Sequence, residues 1–232
     1  MRLLAIDTSG YALSGAIAEE GEVIGSFGAD TGKNHSLELL PLLSELLAEK
    51  GLALADMDAF AVTVGPGSFT GLRIGLATVK AWCQALAKPL IAVSSLDAMA
   101  AAAGGEGYTA PVFDARRNEL YTALYRDGKR LTPDRAVAPG VLGGELAALD
   151  APVTVAGDGL RNYADELKAA LGDNFRLPAD GNYLFMAAAA ARLACVKYAA
   201  DEFADVNSLI PVYLRLSEAE EKRLEALKNA GE

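Results

Sequence analysis

Apolar residues recur along this chain in two periods, and the switches between them predict its elements. Leu3 to Ile6 is a short apolar run ending in Asp7-Thr8-Ser9-Gly10. Ala12 to Ala18 and Val23 to Phe27 follow, separated by a turn at Gly21. Three such runs with tight turns read as an antiparallel meander. After the polar loop from Asp30, leucines recur from Ser36 at 39, 42 or 43, 46 and 47, a helical spacing that reaches about Lys50. Pro41 sits in its first turns or kinks it. Ala59 to Val64 reads as a buried strand. Thr70 to Ala87 reads as a helix with Leu72, Leu76, Val79 and Leu86 toward the core. Leu90 to Val93 is a strand and Leu96 to Ala103 a short helix, which completes the order βββαβαβα.

Gly104-Gly105-Glu106-Gly107 then reads as a boundary, and the pattern starts again. Ala110-Pro111-Val112-Phe113-Asp114 resembles Leu3-Leu4-Ala5-Ile6-Asp7, and Leu120 to Tyr125 with the turn Asp127-Gly128 matches the next strand. Val153-Thr154-Val155-Ala156-Gly157-Asp158-Gly159 echoes Val62-Thr63-Val64-Gly65-Pro66-Gly67. The repetition points to two similarly folded lobes. The spacing differs between the halves, so coincidence stays open. Gly181 to Ala200 is an Ala-rich helix, and Leu209 to Leu214 an extended run containing Pro211. Ser217-Glu218-Ala219-Glu220 forms a capping box, and Glu218 and Lys222 are an i,i+4 pair. The tail helix has only Leu224 and Leu227 as an apolar stripe, so it is solvated or docks on a partner. The expected division is 1–103, 104–216 and a tail at 217–232.

The centre of the pattern is Val62 to Arg73, where a β-branched run meets three glycines and a proline before a helix begins. Gly65 and Gly67 permit positive φ, Pro66 fixes the bend and Thr70 can cap the helix. Backbone N–H groups at such a helix start favour an anion. A compact corner packed on a neighbour explains the loop equally well. No Lys follows the last glycine, so this is not a P-loop; Arg73 is the nearest cation.

Composition narrows the partners. Of 232 residues, 52% are hydrophobic, enough for one large domain or two small ones, and the net charge is −10. So acidic a chain has no general basic surface for nucleic acid, and a role there needs a local patch or a basic partner. Cys83 and Cys195 lie in apolar helical patterns, as reduced buried thiols do, which points to the cytoplasm. The start, Met1 to Asp7, is too short and too soon charged for a signal peptide. The apolar stretch from Tyr183 to Ala200 is interrupted by Arg192 and Lys197, so it reads as a core helix and not a membrane span.

The candidate chemistry clusters at strand ends. Asp7 with Thr8 and Ser9 in the following turn suits a phosphate or Mg²⁺: the Asp would hold a hydrated metal, and hydroxyls and turn amides would hold oxygens. Gly65, Gly67 and Ser68 would add amides from the central loop. Asp114 would face Asp7 across a cleft, and Gly157 and Gly159 would pack under an adenosine. This layout is that of the two-lobed α/β actin-like ATPase fold (ASKHA, ribonuclease H-like), with duplicated mixed five-stranded sheets. Either Asp alone is better explained as a turn cap. The pair in a duplicated frame favours descent from a nucleotide-cleft fold, which is not the same as activity.

His35 is the single histidine, and one imidazole with two distant cysteines does not make the usual zinc site. No Gly-x-Ser-x-Gly elbow supports a Ser-His-Asp arrangement, so a polar loop or capping role is favoured. Arg116-Arg117-Asn118-Glu119 could touch a phosphate or a partner carboxylate, though a solvated hairpin tip is the commoner explanation. Leu37, Leu40 and Leu47 spread round the first long helix, which suggests a partner face or a helix buried on two sides.

Leu4-Ala5-Ile6-Asp7-Thr8-Ser9, His35-Ser36 with Leu40-Pro41, Gly65 to Gly75, Asp114-Ala115-Arg116 with Glu119 and Tyr121, and Pro211-Val212-Tyr213-Leu214-Arg215 together resemble the TsaB (YeaZ) family. The Gly-Pro-Gly-Ser-Phe-Thr-Gly-Leu-Arg block is the most specific of these, and the matches span nearly the whole chain in order. The resemblance implies the two-lobed actin-like fold and a role in making threonylcarbamoyladenosine beside the tRNA anticodon. It implies a TsaD-type paralogue that carries out the transfer, a TsaE-type ATPase, and tRNA met only within that complex. In TsaD-type proteins two metal-binding histidines stand four residues apart; here Ser95 and Met99 take those places, and neither suits a hard or borderline divalent metal. The resemblance therefore implies no metal and no catalysis by this chain alone, and it lends no support to the older glycoprotease label. No cofactor is required; ATP or ADP with Mg would bind only weakly, at the complex interface. The helices starting near Ser36 and Thr70 are expected to form the dock, through His35, Leu39, Leu43, Leu46, Leu72, Leu76 and Val79, and to pair two copies when the chain is alone. The competing expectation is a free-standing ATPase or small-molecule kinase of the same fold, although Ser9-Gly10 departs from the Asp-x-Gly start of such kinases. A metalloprotease is the third.

Overall fold

The computed structural model describes residues 1–30, 34–104, 107–179, 181 and 185–215. The first sheet contains β1 (Arg2–Asp7), β2 (Leu13–Glu19), β3 (Glu22–Ala29), β4 (Ala59–Thr63) and β5 (Leu90–Val93), in the order β3-β2-β1-β4-β5. The meander β1–β3 is antiparallel, whereas β4 and β5 run parallel to β1. Buried on both faces, β1 and β4 read as unbroken apolar runs. On one face lie α1 (His35–Lys50) and α2 (Phe69–Leu86), which meet Leu4, Ile6, Phe60 and Val62 with Leu39, Leu43, Leu76 and Val79. Pro41 lies on the exposed side of α1, and the helix runs through it to Gly51, whose positive φ lets its N–H return to Ala48 O and Leu47 O. Ser68, not Thr70, caps α2, accepting from Gly71 N at 3.3 Å.

After α3 (Ser95–Ala102) the second sheet begins. Its strands are β6 (Tyr108–Arg116), β7 (Glu119–Thr122), β8 (Tyr125–Arg126), β9 (Lys129–Arg130), β10 (Arg135–Val137), β11 (Val153–Ala156) and β12 (Phe175–Arg176). The path β10-β7-β6-β11-β12 repeats the connectivity of the first sheet, so the duplication holds at the level of topology. The sheet has seven strands and not five. The single strand expected over Leu120 to Tyr125 breaks at Ala123 and Leu124, because Leu124 N is taken by Thr132 Oγ1 at 2.8 Å. Beyond the break, β8 pairs with the start of β6 and with β9. Two helices, α4 (Pro139–Ala147) and α5 (Leu160–Leu171), pack together over this sheet around Val112, Leu142, Val155 and Leu167.

The last helix, α6 (Ala187–Ala199), belongs by sequence order to the second lobe but packs across all five strands of the first sheet and on α3. Its small face of Ala187, Ala190, Ala191 and Ala194 lets it lie close on Leu3, Ala5 and Ala16. Residues 204–215 stay with the first lobe too. Ala204 N bonds to Leu90 O at 2.8 Å and Val212 N to Val64 O at 2.7 Å. The extended run at Leu209 to Leu214 makes the second of these bonds and belongs to no strand. The two sheets part between β5 and β6, and 187–215 folds back onto the first of them. The predicted tail helix with its Ser217 capping box lies outside the described residues, as do Gly105 and Glu106. Among the described residues, no helix is long and apolar enough to cross a membrane.

Candidate functional site: the cleft between the lobes

A cleft of about 950 Å³ opens between the two sheets. The turn after β1, the central loop, the end of β6, the turn before α5 and the strap at 212–215 line it. Each wall follows from the local sequence. Asp7, at the end of β1, is fully buried. Its Oδ1 accepts from Ser9 N at 3.1 Å, Ser9 Oγ at 2.6 Å and Thr63 Oγ1 at 2.6 Å. Its Oδ2 has no hydrogen-bond partner among the described residues, and neither has Nε2 of His35, whose ring is buried at the start of α1 beside the cleft. Burial raises the Asp7 pKa against these hydrogen bonds and the nearby His35, and burial lowers that of His35 against the charge of Asp7.

The three glycines of the central loop serve close packing. A Cβ on Gly67 would strike the Ser9 carbonyl, and one on Gly71 the Thr8 carbonyl. The loop therefore lies flat on the turn after β1. Ser68 N donates to Ser9 O at 2.7 Å, and Thr8 Oγ1 donates to Gly71 O at 2.7 Å. Gly65, with φ +115°, is pressed under Val212 O, and the Gly65–Pro66 peptide bond is cis. Of the two explanations for this loop, the compact corner describes its amide at Ser68 and its glycines.

In the second lobe Gly157 and Gly159 meet the same demand. Each lies against the Val112 backbone, and Gly159 N donates to Val112 O at 3.1 Å. Asp114 is turned to its own strand end, accepting from Arg116 N at 2.8 Å and from Asn162 Nδ2 at 3.1 Å, with Arg116 paired to it at 3.1 Å. The residue between the two glycines, Asp158, was not singled out by sequence reasoning and proves central. Its Oδ2 accepts from Tyr11 N at 2.8 Å and its Oδ1 from Asp114 N at 3.1 Å, so one carboxylate joins the lobes. Burial raises its pKa, the two amides oppose this, and the charges of Asp114 and Asp7 add to it. Repetition of a Gly-x-Gly was the visible signal; only the fold shows where the middle side chain points.

Further clasps join the lobes. Tyr125 Oη donates to Asp97 Oδ1 at 2.8 Å, and Arg130 reaches the same oxygen at 2.8 Å. Arg161 pairs with Asp30 and stacks over Tyr11 at 3.8 Å, and Arg215 of the strap pairs with Glu119. Arg73 lies over the Phe69 ring at 3.8 Å and donates to Tyr213 Oη at 2.9 Å. Beside Asp97, Ser95 is fully buried with its hydroxyl accepting from Gly65 N at 3.1 Å, and Met99 is buried in the core against α6.

The expected docking residues are placed otherwise than predicted. Leu39, Leu43, Leu46, Leu72, Leu76 and Val79 are all buried, as is His35. Leu39, Leu43, Leu46, Leu76 and Val79 face the first sheet, because the side of each helix richest in leucine is the one that covers it. The side of α1 that remains exposed carries Leu37, 73% exposed, and Leu40, 52% exposed. Leu47, at 9%, is on the inner side.

Residues 25–142 match the family described as TsaD: tRNA N6-adenosine threonylcarbamoyltransferase. Over 98% of its length the chain is 36% identical to the whole of the tRNA threonylcarbamoyladenosine biosynthesis protein TsaB of Bacillus subtilis. The structure of YeaZ from Pseudomonas aeruginosa superposes with a TM-score of 0.75 at 32% identity, covering 92% of this chain and 99% of that one. A ROK hexokinase from Thermus thermophilus matches with a TM-score of 0.53 at 13% identity, covering 86% of this chain and 100% of that one. The last likeness is one of fold alone, the two-lobed actin-like fold.

Proposed function

The chain belongs to the TsaB family of tRNA threonylcarbamoyladenosine biosynthesis proteins, and from that premise we propose that it acts as the accessory subunit that binds and supports a TsaD-type transferase. The observation that carries the reading is the match to a TsaB protein from end to end. Three features support it. Ser95 and Met99 are committed to a hydrogen bond and to the core, so this segment presents no imidazole to a substrate. Asp7 is fully buried, with Ser9 and Thr63 holding its Oδ1, and it does not line the cleft, where an ATPase or kinase would need it. The lobes are tied together by Asp158, Asp97 and Arg161, which suits a rigid support better than a closing enzyme.

On this reading the exposed side of α1, with Leu37 and Leu40, meets the transferase, and the same side pairs two copies when the chain is alone. A TsaE-type ATPase joins the pair. tRNA is met in the complex and not by this acidic chain, the compartment is the cytoplasm, and no cofactor is needed for the support. The test is a tRNA modification assay with the transferase, its ATPase partner and threonylcarbamoyl-adenylate, with and without this chain. Modified adenosine is expected only when the chain is present and co-purifies with the transferase. Modification by the chain unaided, or a transferase indifferent to it, would overturn the reading.

A further inference from the structure

Each lobe presents a backbone N–H to the cleft, from the turn after β1 in the first and from near the end of β6 in the second. In the first lobe the amide is that of Tyr11, in the second that of Asp114. Two amides offered from opposite walls suit a single small anion placed between them. The anion present is the chain's own. Asp158 sets one carboxylate oxygen on each amide, at 2.8 and 3.1 Å. No ion pair joins Asp158 to an Arg or Lys among the described residues, while Asp7 and Asp114 stand near enough to repel it. A carboxylate held against two like charges needs those amides. Gly10 completes the fit, since a Cβ there would lie 3.3 Å from Asp158 Oδ2. Three of the arginines that line the cleft are occupied in the same manner: Arg116 by Asp114, Arg161 by Asp30 and Arg215 by Glu119.

We propose that Asp158 is a built-in plug, its carboxylate filling the seat between the turn after β1 and the end of β6 that a nucleotide phosphate would otherwise take, so that the cleft of the isolated chain is closed to phosphates. The inference is separate from the supporting role above, because it concerns the lone chain and not its effect on a transferase.

The experiment compares the full chain with Asp158→Ala and Asp158→Asn. MgADP is titrated calorimetrically, and thermal unfolding is followed in inorganic phosphate against chloride at equal ionic strength. The wild type is expected to show no saturable heat with MgADP and no stabilisation by phosphate beyond that of chloride. Asp158→Ala empties the seat, so phosphate should restore part of its lowered midpoint, and MgADP should bind tighter than to wild type by about tenfold or more, a factor that corresponds to about 1.4 kcal/mol. Asp158→Asn keeps the shape without the charge; it serves if the alanine variant does not fold, and should bind MgADP more tightly than wild type. The proposal fails if MgADP or phosphate binds the wild type and shifts the Tyr11 and Asp114 amide resonances, because the seat is then open. It fails equally if the folded variants bind no tighter than wild type and respond to phosphate no more than to chloride.

Discussion

The Thr63 hydroxyl, at the end of β4, donates a 2.6 Å hydrogen bond to Oδ1 of Asp7, at the end of β1. The parallel pairing of β1 with β4 brings the two strand ends side by side. A bond of this kind to a charged acceptor contributes about 1.5–3 kcal/mol. Thr63→Val is therefore expected to lower stability by about 2 kcal/mol, read from denaturant unfolding. A loss under about 0.5 kcal/mol would mean that Ser9 alone suffices.

Asp7 also sets a pH dependence. Burial raises its pKa in the folded chain above the unfolded value, so between the two values folding takes up a proton. The resulting penalty is present at pH above the raised value and fades as pH falls through it. Asp158 acts in the same direction. Asp7→Asn keeps the accepting oxygen and puts a donor where Oδ2 has no partner. It should raise the midpoint of thermal unfolding at pH 8 by about 2–4 °C, the equivalent of about 1 kcal/mol in a chain of this size, with the gain shrinking toward pH 5. A variant less stable than wild type at pH 8 would refute the penalty.

The glycines separate by position. Gly71→Ala would drive a methyl group into the Thr8 carbonyl, where both sides are backbone, and should cost about 3 kcal/mol or more. Gly144 in α4 has open space around its Cβ direction, so Gly144→Ala should raise stability by about 0.5–1 kcal/mol through helix propensity. Urea titration of the two variants checks both signs at once.

Along α1 the inner and outer leucines should part company. Leu39→Ala and Leu43→Ala remove buried side chains and are expected to cost about 2–5 kcal/mol. Leu37→Glu and Leu40→Glu touch exposed positions and should stay within about 0.5 kcal/mol of wild type. If this side meets the transferase, each of these two Glu variants weakens co-purification by about tenfold or more. Unaltered capture by a folded Leu37→Glu protein would assign the dock to another surface.

The cysteines are both buried and unbridged. Burial pushes the Cys83 thiol up to about 11 and raises that of Cys195. At pH 8 about one Cys83 in a thousand carries the reactive thiolate. A thiol reagent should therefore label neither residue in the native chain within minutes and both after denaturation. Rapid native labelling would show that one of them opens.

What could be read from the residues was periodic. The leucine spacing from Ser36, the unbroken run at Ala59 and the glycine-rich junction at Gly65 place α1, β4 and α2 within a residue or two. The twofold recurrence of an apolar run leading into Asp was visible as well, although β6 continues past Asp114 to Arg116 where β1 stops at Asp7. Two matters were not. A leucine-rich face marks a buried side regardless of what it covers, so Leu39, Leu43 and Val79 read as a dock until β1, β4 and their neighbours are seen to take them. Asp158 is silent for a different reason: its partners are the amides of Tyr11 and Asp114, and backbone donors leave no trace in side-chain pattern.

The return of α6 to the first sheet has a consequence for the growing polypeptide. Leu3, Ala5 and Ala16 wait for Ala187, Ala190 and Ala194, residues made long after them. The first lobe therefore cannot bury its second face while it emerges, however early its strands pair, and such distant closures are slow. A nascent chain halted after the second sheet should remain exposed to chaperones and proteases along that face, so birth order and folding order run opposite ways in this protein.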